Sequence, residues 1–328
     1  MKNFSSLKFS SLKTTEDKTM HKLSIVIPVY CNEGNLIPLF EDLKKKVLDR
    51  KDLEFELVLV DDGSYDESWK VIEELKKRDD RIVSLRLSRN FGSHAAILCG
   101  LEHCTGDCAV IKAADMQEPS ELLLDMYEQW LNGYNVVLAV RETREDKSFF
   151  SDLYYSLTRR FIFPNMPEHG FDIFLVDRKV IEVLKNLDEK NSAITGQILW
   201  SGFRTKEVRY ARKQREIGKS KWTLKKKIRL VTDTLFSFSV LPITFISFAG
   251  VVMTFISFVW ALFIVIQRLQ GKIYVEGYTT LMVFQLFSFG VIMLTLGVIG
   301  NYLWRSFDAS RKRPVYIVED DKEIENRR

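Results

Sequence analysis

Two long stretches of this 328-residue chain carry no charge: residues 234–266 and 277–304 contain no Asp, Glu, Lys or Arg, although 28% of the whole sequence is charged. Such an absence excludes an ordinary solvent-facing helix, and each run exceeds the roughly 20 residues a helix needs to cross a bilayer core. Cysteine is scarce too. Cys31, Cys99, Cys104 and Cys108 all precede the first uncharged run, and no two stand in C-x-x-C spacing. That argues against a disulfide-built fold and the common zinc and redox motifs, and it fits a reducing compartment. His94 and His103 lie near these thiols, but buried unligated cysteines are the expected reading. Residues 1–22 never build an apolar segment, so no secretory signal is expected there. Residues 1–21, with Phe4-Ser5-Ser6-Leu7-Lys8 repeated at Phe9-Ser10-Ser11-Leu12-Lys13, read as a disordered tail too short for a repeat fold, with Met20 as a candidate start.

Charge is present, but unevenly. Basic residues crowd 204–229 and 305–313, whereas the segment between the uncharged runs offers only Arg268 and Lys272 against Glu276. By the positive-inside rule both flanks face the cytoplasm and the connecting loop faces outward. The expected organisation is a soluble domain at 22–222, an amphipathic juxtamembrane helix at 223–241, spanning helices at 242–267 and 279–304, an external loop at 268–278 and a cytoplasmic tail at 305–328. Pro242 suits the first residue of a helix. Residues 149–163 mix aromatics with Arg159 and Arg160 and read as a second interfacial piece. The implied localisation is the cytoplasmic membrane, multi-pass, with the soluble domain in the cytoplasm. A water-facing domain tethered by a helical hairpin points to chemistry that joins a soluble reactant to a lipid-embedded one.

Within the soluble domain, β-rich runs at 23–29, 55–60, 82–87, 108–111 and 136–140 alternate with amphipathic segments at 36–48, 68–78, 94–103 and 120–131. This alternation predicts an α/β fold with a Rossmann-like, mostly parallel sheet covered on both faces. Ligands of such sheets bind outside the carboxyl ends of the strands. The residues there are polar: Pro28-Val29-Tyr30-Cys31-Asn32-Glu33, Asp61-Asp62-Gly63-Ser64, Ser88-Arg89-Asn90-Phe91-Gly92, Asp115-Met116-Gln117 and Arg141. Any one of these could be a turn or a helix cap. Five at one sheet edge predict a site.

These motifs, followed by Asp172, by Arg215-x-x-Gly218-x-Ser220-Lys221 and by the apolar tail, resemble the family 2 glycosyltransferases, specifically those that use a polyprenyl phosphate, over about residues 23–318. The resemblance implies the GT-A nucleotide-diphospho-sugar transferase fold followed by a C-terminal two-helix transmembrane hairpin. It also implies inverting transfer from a nucleotide-sugar donor to polyprenyl phosphate, giving a lipid-linked monosaccharide for cell-surface glycan assembly. Pro28, Tyr30, Glu33, Asp61, Asp62 and Arg89 would bind the donor, with Asp62 on the base. Asp115 and Gln117 would hold Mg²⁺ or Mn²⁺, and Asp115, Asp172 and Arg141 would act in catalysis. Arg141, Arg215, Ser220 and Lys221, with the neighbouring Arg212, would bind acceptor phosphate. The partners would be donor, acceptor and bilayer, with a homo-oligomer left open and no nucleic acid expected.

The chemistry is consistent with that assignment. A departing diphosphate needs its charge neutralised by a divalent cation and basic side chains. Asp115 and Gln117 offer hard oxygen ligands two residues apart, on one side if the segment is extended. A phosphate monoester has a second pKa of about 6, so the acceptor is largely ionised at neutral pH and needs orientation more than a base. The basic stretch at Lys225, Lys226, Lys227 and Arg229 reads equally as a headgroup-binding face.

The sequence also departs from the family pattern. Ala113-Ala114-Asp115 stands where Asp-x-Asp is usual, Tyr30-Cys31-Asn32-Glu33 where Tyr-Asn-Glu-Glu is usual, and Phe171-Asp172-Ile173-Phe174 where Gly-Asp-Phe-Arg is common. Two alternatives follow: a degenerate nucleotide-sugar-binding scaffold, motivated by Ala113, and a polysaccharide synthase. The absence of a Q-x-x-R-W motif and the single hairpin weigh against the second. The charge asymmetry yields a topology prediction: a cysteine label at Gly271 is reached from outside the cytoplasmic membrane and one at Asp308 is not. Labelling of both from one side would end the hairpin model.

Overall fold

The computed structural model describes residues 20–142, 155–156, 158–160, 162–187, 193–212, 234, 237–239, 241–270 and 277–319. Seven strands form one sheet in the order β3-β2-β1-β4-β6-β5-β7. They are β1 (Lys22–Val29), β2 (Glu54–Asp61), β3 (Ile82–Arg86), β4 (Cys108–Ile111), β5 (Val136–Arg141), β6 (Ile173–Asp177) and β7 (Thr205–Tyr210). The five strands expected from the sequence are all present with ends shifted by a residue or less. The interiors of β1, β2, β4 and β5 are buried on both faces, which is why they read as continuous apolar runs rather than as alternation.

Two strands were not anticipated. β6 enters antiparallel between β4 and β5, pairing Val110 with Leu175 and Ala139 with Ile173. β7 adds parallel to β5, with Arg141 opposite Tyr210. Because β6 runs backwards, its first residues lie at the edge where β4 and β5 end. Asp172, just before β6, therefore arrives beside Arg141, the last residue of β5.

Helices cover both faces. On one side lie α1 (Glu33–Leu43), continued by a π-helical turn at Lys44–Leu48, then α2 (Ser68–Arg78) and α4 (Leu122–Leu131); on the other lie α3 (Ser93–His103), α5 (Arg178–Lys185) and α6 (Ile194–Trp200). The expected helix at 36–48 thus begins three residues earlier and ends in a wider turn. Cys99, Cys104 and Cys108 are buried free thiols, and among the described residues no cluster of His, Cys, Asp or Glu could hold a metal. The expected interfacial piece at 149–163 lies mostly outside the described residues, and Phe163 at its end is buried in the core on the α3 side.

Two apolar helices follow, α7 (Leu241–Leu269) and α8 (Tyr278–Ser310). Both are long and apolar enough to cross a membrane, with mean hydropathy 2.0 over Leu241–Trp260 and 1.5 over Phe287–Ser310, and neither stretch is buried within the chain. Large side chains such as Phe245, Phe248, Phe255 and Leu303 stand exposed, a surface that water would not tolerate. The helices are joined to the domain at one end. Tyr302 donates to the Ser239 carbonyl at 3.2 Å and Arg305 to the Ser237 hydroxyl at 2.7 Å, while Phe238 packs on Phe163 with ring centroids 5.1 Å apart.

Helix α3 approaches the sheet so closely that a Cβ on Gly100 would sit 2.2 Å from Val26 Cγ1. Gly100→Ala would gain about 1 kcal/mol of helix propensity. The clash is with a fully buried β-branched side chain that has little room to move. We expect a net destabilisation of about 1–2 kcal/mol, read as a lower thermal midpoint of the detergent-solubilised chain; an unchanged or raised midpoint would contradict the packing described.

Candidate active site

The chain leaves β3 for α3 and returns to pair β4 against β1, so the strand order reverses between β1 and β4. A crevice opens at such a switch point. β1 pairs β4 only over Leu23–Val26 but continues to Val29 beside β2, which leaves the last residues of β1, Pro28 among them, without a β4 neighbour. Tyr30 and Asp115 follow these two strands.

On the β1–β2 side, two buried carboxylates organise the loops. Asp62 accepts the backbone N–H groups of Phe91 at 2.7 Å and Gly92 at 3.0 Å, fastening the β3–α3 loop to the end of β2. Asp61 accepts the Ser64 N–H at 3.3 Å and lies 3.5 Å from Arg86 Nε. Gly63 makes the turn between them at φ 64°; a Cβ there would stand 2.5 Å from the Arg89 carbonyl carbon, so only glycine fits. Burial raises both carboxyls above the usual range despite these bonds, Asp62 to about 6. Glu33 lies in the first turn of α1 and accepts the Glu67 N–H at 2.8 Å, tying α1 to the start of α2. Tyr30 meets Tyr65 edge-on at 6.2 Å, with Tyr65 largely exposed at the crevice mouth. Arg89 stacks on Phe91 at 4.1 Å.

The β4 side corrects one expectation. Met116 has φ 57°, so residues 115–117 turn rather than extend, and the argument that alternation puts Asp115 and Gln117 on one side does not hold. Asp115 accepts the Gln117 backbone N–H at 3.4 Å, while the Gln117 side-chain Oε1 accepts from Arg212 Nη2 at 2.5 Å. Arg212, just beyond β7, also approaches Glu118 at 3.8 Å.

Glu118 belongs to the motif Asp115-Met116-Gln117-Glu118-Pro119 that carries the family resemblance but was given no role there, and Lys112 was not singled out. Both are buried, and Lys112 donates to the Glu118 backbone carbonyl at 2.8 Å. One carboxylate oxygen of Glu118, Oε2, has no hydrogen-bond partner among the described residues. Burial, then the neighbouring Asp115, pushes Glu118 up to about 7, while burial lowers Lys112. The sequence signal for Lys112 was a charged residue directly after an apolar strand.

Arg141 and Asp172 form an ion pair at the same edge, with the Tyr210 hydroxyl beside Arg141. Asp115, Gln117, Glu118, Arg141, Asp172 and Arg212 are thus gathered where β4, β5, β6 and β7 meet the crevice. Arg215, Ser220 and Lys221 lie outside the described residues, as do Lys225, Lys226, Lys227 and Arg229.

Asp115 and the neutral Gln117 offer oxygen ligands of the kind a divalent cation takes, and because among the described residues no three carboxylates, thiols or imidazoles gather to hold one, a cation here would need further oxygens from a bound diphosphate. The charges of Asp115 and Asp172 both bear on Glu118, which has an unsatisfied buried oxygen, and such mutual repulsion is what a cation relieves.

Comparison with known proteins agrees with the geometry. Residues 24–185 match the family described as glycosyl transferase family 2. The uncharacterised glycosyltransferase YkcC of Bacillus subtilis is 37% identical over 93% of this chain and 95% of its own. The chain belongs to glycosyl transferase family 2. It is a glycosyltransferase with a GT-A-like, mostly parallel sheet. The bactoprenol glucosyl transferase of Shigella phage SfV is 33% identical over 92% of this chain and 99% of its own. A mannosyltransferase of Pyrobaculum calidifontis, solved with GDP-Man and Mn²⁺, aligns over 88% of this chain and 89% of its own at 16% identity and a TM-score of 0.43.

The raised Asp62 carboxyl yields a pH prediction. Its folded value lies above the ordinary 3.8, so its contribution to stability is whole below about pH 4 and lost as the pH rises through about 6. Asp62→Asn does not titrate. Wild type is therefore expected to lose about 2–3 kcal/mol relative to this variant between pH 4 and pH 7. Melting both proteins across that range checks it; a constant offset would mean that Asp62 does not titrate there.

Proposed function

We propose that the chain transfers a sugar, with inversion, from a nucleotide-sugar to an undecaprenyl-type polyprenyl phosphate on the cytoplasmic membrane face, making a lipid-linked monosaccharide for surface-glycan assembly. One observation carries this reading: a sheet-edge crevice with buried aspartates on one side and Arg141 and Arg212 on the other belongs to a chain that continues into two exposed apolar helices. The family membership and the similarity to phage bactoprenol glucosyl transferases support it.

In this mechanism the nucleotide lies across the β1–β2 side, against Tyr30 and the Asp61–Asp62 turn, with Arg89 and Glu33 at its margin. Asp115, with Gln117 as neutral partner, would hold Mg²⁺ or Mn²⁺, which neutralises the diphosphate as it leaves. The acceptor phosphate carries its own nucleophilic oxygen, since its second pKa is about 6. The protein therefore supplies orientation and charge. Asp172 fixes the Arg141 guanidinium, which meets one phosphate; Arg212 bridges Gln117 and Glu118 and neutralises the buried carboxylates between donor and acceptor. Arg215, Ser220 and Lys221 follow Arg212 in sequence and would extend this set. Direct attack by the acceptor at the anomeric carbon inverts its configuration in one step.

The test is to incubate membranes containing the chain with undecaprenyl phosphate and a panel of labelled nucleotide-sugars. One sugar should pass into the lipid fraction, and chelator should stop it. Asp115→Asn should reduce transfer at least about 100-fold, the loss typical of a group that stabilises transition-state charge, with an unchanged melting temperature. Full activity in chelator, or an active Asp115→Asn variant, would move charge neutralisation onto the arginines.

A further inference from the structure

Beyond α8 the chain turns back to the sheet. Val318 forms an antiparallel bridge with Leu87, the Ser88 N–H donates to the Ile317 carbonyl at 3.0 Å, and the Glu319 N–H donates to the Arg86 carbonyl at 2.8 Å. The tail thus pairs by an isolated antiparallel bridge with the end of the outer edge at β3. Val315, Tyr316 and Val318 pack on the core beneath α3, and the Tyr316 hydroxyl bonds to the Glu102 carboxylate of α3.

The tail also carries a charge to a specific place. The Glu319 side chain is 3% exposed and its Oε2 lies 3.7 Å from Arg86 Nε. The same nitrogen is 3.5 Å from Oδ2 of the fully buried Asp61, and the guanidinium sits over the Trp69 ring at 5.5 Å. Arg86 is therefore held between two carboxylates and an indole. One carboxylate belongs to the turn that faces the donor, the other to residues that follow the second apolar helix. An edge cover alone needs backbone bonds and apolar contacts; it does not need a buried carboxylate aimed at this arginine.

We propose that Glu319 is a positioning residue for the donor site: through Arg86 it fixes the Asp61 carboxylate and the turn that receives the nucleotide, so that docking of the tail at β3 sets donor affinity. This rests on the nucleotide-sugar reading of the crevice. Removal of Glu319 leaves Arg86 with one carboxylate partner among the described residues, Asp61, and the guanidinium and the Asp61 turn lose their fixed relation.

The experiment uses the full-length chain in detergent with Mn²⁺, and calorimetric titration with UDP, GDP, CDP and dTDP to find the nucleoside diphosphate that binds. For that nucleotide, Glu319→Gln is expected to weaken binding about tenfold, within the range by which directly coupled side chains influence one another. Donor KM should rise to match, kcat should stay within about twofold, and acceptor KM should not move. Glu319→Asp, which keeps the charge, should recover most of the affinity. A lower melting temperature with unchanged nucleotide affinity in Glu319→Gln would overturn the proposal and leave the tail as an edge cover. Failure of the wild-type chain to bind any of the four nucleotides would instead overturn the donor reading, and this proposal with it.

Discussion

The carboxylate of Asp62 takes two backbone N–H groups from the loop that follows β3, and the β1–β2 side of the crevice depends on that pair of bonds. The loop crosses from the end of β3 to the start of α3 with Gly92 at φ 101°, a conformation open to glycine and strained for most residues. Without an acceptor, the Phe91 and Gly92 N–H groups would lose their tether to β2. With it, the turn at Gly63 and the Ser88–Gly92 loop touch, and Arg89 is presented at the rim. The cost is a carboxylate kept out of water. The protein tolerates it because two charge-assisted bonds offset part of the desolvation.

A second group of buried charges lies across the crevice, and it is balanced differently. Lys112 and Glu118 share one small volume with Asp115 and Arg212, yet the lysine ammonium donates to a backbone carbonyl rather than to a carboxylate. Arg212 then serves two acceptors at once, the Gln117 amide and the Glu118 carboxylate. One arginine on the loop after β7 thereby couples the acidic motif after β4 to the start of the basic stretch through a single planar group.

Much of the fold was legible because β1 to β5 are apolar runs bounded by turn residues, and the site because polar residues follow each strand. What escaped notice did so for physical reasons. β7, Thr-Lys-Glu-Val-Arg-Tyr, is an edge strand that buries mainly Val208 and Tyr210, so its charged positions read as loop. β6 is short, and its antiparallel insertion is a matter of pairing that no local pattern encodes. The turn at Met116 broke a spacing argument because a left-handed residue cancels strand alternation. Asp172 and Arg141 were found as separate motif residues, but their ion pair follows only from the reversed direction of β6. Arg86 and Glu319 were not found at all, since nothing local relates the end of a strand to a residue beyond the last helix.

The two sheet edges are finished in different ways. The β7 edge carries Lys206, Glu207 and Arg209, side chains that discourage pairing with another chain, and it is complete as soon as it folds. The β3 edge is met at its end by residues 315–319, which a ribosome makes after both α7 and α8. During synthesis Arg86, beside the Asp61 turn, therefore lacks its Glu319 partner until both apolar helices have been made. The order of the chain thus places this contact after the apolar helices in assembly.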